Sequence, residues 1–389
     1  MASKTGAFFI LMLLAVPLTA AADEGFHSGG VAQCEGCHSM HNSLNAQPMN
    51  GKTSANPYLL MGADPSSTCL NCHHTTSITP NAYKVSSPAN AITSGGRPAP
   101  SQLGPAGDFG WSARHNIVAT DYSYTQDPLL STAPGGTYPR EKLSCISCHD
   151  PHGRYRHLAG SSEQFRTGAP IRESGSYGAE PDGATAVGVY RLLGGTGYQP
   201  VSVTGGYSFV SKAPVAVAPL EYNRSEAESD TRVAYGAGMS EWCSNCHSSM
   251  HNDDAVAPGS FRHPAGNNAK LGATLIANYK RYDFRTGSVN ADGATAYSSL
   301  VPYEMGTEVR SDLLAATLST AGPSSGLENV SCLSCHRAHA SGFPTLGRWN
   351  FGTDMVYDGF PPPQAFYGRT QAYFATAQRS LCNKCHVRD

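Results

Sequence analysis

The chain has 389 residues, a formal net charge of −2 at neutral pH, 14% charged and 40% hydrophobic residues, and 41 glycines with 26 prolines. The near-neutral balance removes any electrostatic argument for nucleic acid or an anionic membrane surface as partner. So much glycine and proline favours turns and irregular chain over a densely packed enzyme core.

Residues 1–22 read as a secretory signal. Lys4 gives a charged start, Ala7 to Leu18 an apolar stretch too short to span a bilayer comfortably, and Ala20, Ala21 and Ala22 a small-residue cleavage site. No later run has transmembrane length, so residues 23–389 are expected to form one exported subunit without a membrane span.

All twelve cysteines then fall into six C-x-x-C-H units. In chain order these are Cys34, Cys37 and His38; Cys69, Cys72 and His73; Cys145, Cys148 and His149; Cys243, Cys246 and His247; Cys332, Cys335 and His336; and Cys382, Cys385 and His386. C-x-x-C-H is the attachment signal for c-type haem: the two thiols form thioethers to the porphyrin and the adjoining histidine ligates the iron. One such unit could also be a redox dithiol, half a zinc site or a chance match. Six of them behind an export signal, with no cysteine left over, point to six covalent haems and six proximal histidines.

Nine histidines remain, and six irons need six distal ligands if every site is closed. His41, His152 and His339 each follow a motif histidine by three residues, and His251 follows His247 by four. On a helix such neighbours share a face, with Cβ atoms roughly 5–6 Å apart. A histidine placed there cannot pass round the porphyrin of its own motif, but it can reach an adjacent haem. His115 and His263 complete the set of six. His27 ranks behind them, His74 diverges from the adjoining His73, and His157 is spare. Met40 and Met250 are possible sulfur ligands, but with histidine in surplus a bis-histidine, low-potential set is the simpler expectation.

Between the motifs, stretches such as residues 78–110 carry little apolar periodicity. The expected fold is therefore mostly coil, with short helices at the C-x-x-C-H units packed on haems as a covalently fixed core, and very little β-structure. Leu271, Leu275, Ile276, Tyr279 and Tyr282 predict one amphipathic helix. Tyr373, Phe374, Ala377 and Leu381 predict another, running into the last motif. Residues 185–203 could hold a short strand pair around their glycine turn. No fixed-period repeat is evident. The glycine-rich stretch at 192–199 lacks a Walker lysine and the dinucleotide fingerprint, and neither a Ser-His-Asp nor an H-E-x-x-H constellation appears. Nothing therefore points to an enzyme.

From Phe26 to the C-terminus, the blocks FHSGGVAQCEGCHSMHNSL, HNIVATDYSY, STAPGGTYP, SCHDPHGRYR, YRLLGGTGYQP, RVAYGAGMSEWCSNCH, RHPAGN, CLSCHRAHASGF and RSLCNKCHVRD resemble the filament-forming hexahaem outer-surface c-type cytochromes of metal-reducing bacteria. The resemblance is weakest over residues 78–107 and 346–363. It implies bis-histidine haems in an unbroken chain, with parallel and T-shaped neighbours alternating, and subunits polymerised head to tail into an open filament. It further implies that a histidine near the N-terminus ligates a haem of the next subunit, for which His41 is the candidate. The function implied is electron transport at the cell surface, from upstream c-type cytochromes to extracellular acceptors such as metal oxides. A monomeric periplasmic shuttle would share the haem chemistry. A small-molecule reductase would need an open iron position, which six histidine-ended motifs and surplus histidines do not favour.

Overall fold

The computed structural model describes residues 34–39, 43–44, 47–48, 58–74, 76–77, 85, 114–152, 155–158, 171–175, 184–185, 192–203, 207–218, 232–251, 263–341, 343–356 and 371–386. The signal segment, His27, Met40 and His41 lie outside them.

Irregular chain dominates, and each of the six motifs carries about one turn or a short run of helix. The helices are α1 (Cys34–Cys37), α2 (Pro65–His73), α3 (Met239–Cys243), α4 (Ala273–Arg281), α5 (Arg310–Thr317) and α6 (Cys332–Cys335), with 3₁₀ turns at Cys145–Ser147 and Leu381–Lys384. α2 begins on Asp64, whose carboxylate accepts from the Ser67 N–H at 2.8 Å, while Pro65 fills a first-turn position that needs no donor. The same carboxylate accepts from the Thr120 N–H at 2.7 Å, tying the 114–124 segment to this helix. In the third and fifth motifs a reciprocal serine pair does the capping, Ser144 with Ser147 and Ser331 with Ser334.

In the first, third and fifth motifs the histidine itself leaves the helix. His38 bridges to Leu60, His149 to Leu193 and His336 to Gly347, each as an isolated antiparallel bridge. The expectation of a shared helical face for His149 with His152, or His336 with His339, is corrected accordingly. The backbone on either side of the first histidine is claimed by the bridge, as where the Asp150 N–H donates to Leu192 O and the Gly194 N–H to Cys148 O.

Sheet is scarce among the described residues. Three antiparallel pairs join β1 (Ser43–Leu44) to β2 (Gln47–Pro48), β3 (Tyr155–Leu158) to β4 (Ile171–Gly175), and β5 (Val215–Val217) to β6 (Ala234–Ala237). The β5–β6 pair is buried throughout and covered by α5, whose Leu313 and Ala316 pack on Val215, Val217 and Ala234. The described part of 185–203 contributes only the bridges of Thr185 and Leu193, not a strand pair.

The largest apolar cluster lies behind the last two motifs. Leu271 and Tyr279 of the α4 region meet Leu300, Tyr303, Phe343, Trp349, Phe374 and Leu381, with Leu275, Ile276 and Tyr282 partly buried against them. The face read from the sequence is thus the packed one. The second expected helix breaks into two 3₁₀ turns, Gln371–Tyr373 and Leu381–Lys384, because Ala377 between them is left-handed at φ 60°. No helix of the described residues is long and apolar enough to cross a membrane.

Candidate haem sites

Four motif histidines each face a second imidazole. His38 faces His152 with ring centroids 6.4 Å apart, His149 faces His339 at 6.0 Å, His247 faces His115 at 6.1 Å, and His386 faces His263 at 6.2 Å. The interplanar angles are 10°, 43°, 44° and 82°. Spacing is thus nearly constant while the ring planes turn freely. Ring stacking would couple the two, since stacked and edge-on pairs have different geometry. A shared metal would not: an imidazole nitrogen sits about 2 Å from a bound first-row metal, so two rings on opposite sides have centroids about 6 Å apart at any rotation.

The protonation pattern fits the same use. The Nδ1 atoms of His38, His247, His115, His263 and His336 lie 2.9, 2.8, 2.6, 2.8 and 2.8 Å from the carbonyl oxygens of Tyr58, Pro134, Ala338, Pro264 and Thr345. A carbonyl can only accept, so Nδ1 carries the proton and Nε2 keeps its lone pair for a metal. Burial, followed by the neighbouring His247, holds His115 neutral and pushes its pKa down to about 4; burial lowers that of His336 as well. Neutral imidazole is the ligating form. Paired imidazoles beside two thiols suit a c-type haem iron. Among the described residues no group of three or more His, Cys, Asp or Glu is arranged to hold a lone metal ion.

His74 has the opposite tautomer. The Thr76 N–H donates to its Nδ1 at 3.2 Å, leaving the proton on Nε2, and its buried ring lies against Tyr122 and Tyr124. His157 sits in β3 opposite Glu173. His251 Nε2 is buried without a hydrogen-bond partner, 3.7 Å from Glu241 Oε1. His336 faces no second imidazole among the described residues; its ring meets Phe351 edge-on at 5.5 Å.

The cysteines order the sites in space. Burial raises the thiol pKa of Cys37, Cys148 and Cys335, and the nearby Cys72, Cys246, and Cys382 with Cys385 add to it respectively. Cys69 and Cys145 are within hydrogen-bonding reach of each other, as are Cys243 and Cys332. Neighbouring motifs therefore lie near one another in sequence order, with direct sulfur contact for Cys69 with Cys145 and for Cys243 with Cys332.

A buried serine three residues ahead of the second and fourth motifs fixes each first-cysteine contact. Ser66 Oγ accepts from the Cys145 N–H at 3.1 Å and Ser240 Oγ from the Cys332 N–H at 3.0 Å, both serines having no exposed surface. Ser240→Ala is expected to cost about 1–2 kcal/mol by stranding the Cys332 N–H, with a similar loss for Ser66→Ala, read from denaturant unfolding. The third and fifth motif loops are also held from equivalent places. Tyr198 Oη donates to the carbonyls of Ile146 and His149, and Arg348 Nε to those of Leu333 and His336. None of these supports follows from the C-x-x-C-H pattern. The only sequence signal for the serine pair is its shared position three residues before a motif cysteine.

No family model matches the chain. It is 46% identical to the C-type cytochrome OmcS of Geobacter sulfurreducens, over 96% of its own length and 97% of that protein. Two solved filament structures from the same organism resemble it, the OmcS nanowires seen by cryo-electron microscopy and the outer membrane cytochrome S filament. Each aligns with a TM-score of 0.74 and 44% identity over 94% of this chain and 100% of theirs. With its six motifs, its mostly irregular fold and near full-length identity at this level, the chain belongs to the OmcS family of c-type cytochromes.

Proposed function

We propose that the chain is an extracellular electron conduit. Each subunit carries six c-type haems, each held by two cysteines and two histidines. Subunits join head to tail into a filament that delivers electrons, received from upstream c-type cytochromes, to external acceptors such as metal oxides. The observation that carries this reading is the set of four imidazole pairs at one separation, in a chain whose relatives are described as nanowires and filaments. Bound between such pairs, haem would supply one-electron iron chemistry.

The chain's own residues fix position and order. His38, His149, His247 and His386 would each ligate an iron, with His152, His339, His115 and His263 as their respective partners. His152 of the third motif serves the first, and His339 of the fifth serves the third. The same two-motif step assigns His251 of the fourth motif to the second, opposite His73, which accords with its buried and unbonded Nε2. One step further, His336 would be served by His41 of another copy. That His336 faces no imidazole among the described residues favours this assignment. Two histidines per iron leave no coordination position for a substrate, so a reductase is disfavoured. A monomeric shuttle is the second reading, and it would need His41 within its own subunit.

Electron micrographs of the haem-loaded chain and of His41→Ala test the assignment. Filaments are expected from the parent, and discrete subunits with one haem turned high-spin from the variant. Filaments unaffected by the substitution would remove His41 from the interface. Discrete particles from the parent would favour the shuttle.

A further inference from the structure

Three motif histidines receive their Nδ1 carbonyl from the same backbone device. The carbonyls of Tyr58, Thr345 and Pro134 face His38, His336 and His247, and the residue after each is left-handed: Leu59 at φ 55°, Leu346 at φ 55° and Gly135 at φ 69°. The carbonyl of that left-handed residue then accepts from the chain just beyond the histidine. Ser39 N–H donates to Leu59 O at 2.7 Å, Arg337 N–H to Leu346 O at 2.8 Å, and Ser249 N–H to Gly135 O at 2.8 Å. The third motif repeats the second half of the device, with Leu192 at φ 58° and its carbonyl accepting from the Asp150 N–H at 2.7 Å.

Two successive carbonyls thus form a fork that straddles the histidine, one prong on the ring and one on the backbone. An ordinary extended residue points successive carbonyls to opposite sides, whereas a left-handed turn brings them together. Glycine adopts that turn freely, but leucine does so against a steric penalty. Strain of this kind persists only where the surroundings hold it. Here it recurs on leucine at three equivalent places: motifs one, three and five.

We propose that Leu59 and Leu346 are positioning residues that tune the haem irons. Their left-handed backbone aims a carbonyl at Nδ1 of the motif histidine, keeps the proton there and makes the ligating nitrogen more basic. A more basic ligand stabilises the ferric state and lowers the reduction potential. This rests on the reading that these histidines ligate haem iron.

The test compares Leu59→Gly with Leu59→Val in the haem-loaded chain, by spectroelectrochemical titration and low-spin haem spectra. Glycine keeps the turn, so all six midpoints should match the parent. Valine resists positive φ and releases the carbonyl. One midpoint should then rise, with about a tenfold change in the oxidised-to-reduced ratio of that haem, or about 59 mV for one electron. Midpoints unchanged in both variants overturn the proposal. So do equal shifts in both, which would assign the effect to side-chain packing. Should Leu59→Val yield no haem-loaded protein, Leu346→Gly and Leu346→Val are judged by the same criteria. Absence of low-spin bis-histidine spectra in the parent would instead remove the ligation reading itself.

Discussion

Gly136→Ala should unfold the region around the fourth motif and strip it of haem. A Cβ at Gly136 would lie 1.7 Å from Cys246 O and 2.8 Å from the Cys246 carbonyl carbon. Both are backbone atoms of the attachment loop, so no side chain can swing aside to make room. The adjoining residues also support the site. Pro134 O accepts from His247 Nδ1, and Gly135 O accepts from the Ser249 N–H. Moving this strand outward to admit a methyl group breaks both contacts together. Overpacking alone typically costs about 1–3 kcal/mol. With the lost hydrogen bonds the total should exceed about 3 kcal/mol. Gly272→Ala is the control: nothing lies within 4 Å of a Cβ there, and its φ of −67° suits any residue. As the first cap of α4 it should cost no more than about 1 kcal/mol. Denaturant unfolding and the visible spectrum of each variant separate the two outcomes.

The second large effect is on pH dependence. Glu304 is almost fully buried, and burial raises its pKa from the ordinary 4.5 to about 7. The Met239 N–H and the Asn329 amide donate to its two oxygens and offset part of the rise. Between about pH 4.5 and 7 the folded chain keeps a proton that the unfolded chain has released. Stability should therefore be highest below that window, fall as pH rises through it and level off above. The fall amounts to roughly 3 kcal/mol at this carboxyl. Glu304→Gln should flatten the slope: a neutral amide of the same shape still accepts from Met239. The buried Asn329 Oδ1, which lacks a partner, can take the new donor once that amide turns over. Unfolding free energies at pH 5 and pH 8 for both proteins measure the difference. An unchanged slope in the variant would assign the titration to another group.

The six C-x-x-C-H units were in full view in the sequence, because the pattern is local and every cysteine belongs to one. The packed face of α4 was equally legible, since Leu275, Ile276, Tyr279 and Tyr282 recur at helical spacing. The pairing of imidazoles was not. His149 meets His339 across more than a third of the chain, and which loops approach depends on packing that no short window records. The helix expected before the last motif failed for a local reason, the left-handed Ala377, which breaks an otherwise periodic run. The leucine fork was hidden differently. Its segments begin YLLMG, LLGG and TLGRW, and they stand at unequal distances from their motifs. A search for a fixed period passes over them; their likeness lies in backbone conformation and not in spacing.

The two-motif stagger of the facing rings bears on how such a chain sets into shape. Any route that feeds it out from the N-terminus delivers His38 long before His152, and His149 long before His339. The leading segments must therefore wait, still pliable, while the rest is threaded through. Closure of these two pairs then waits on the motif two places behind, whereas His115 and His263 precede His247 and His386 and need no such wait.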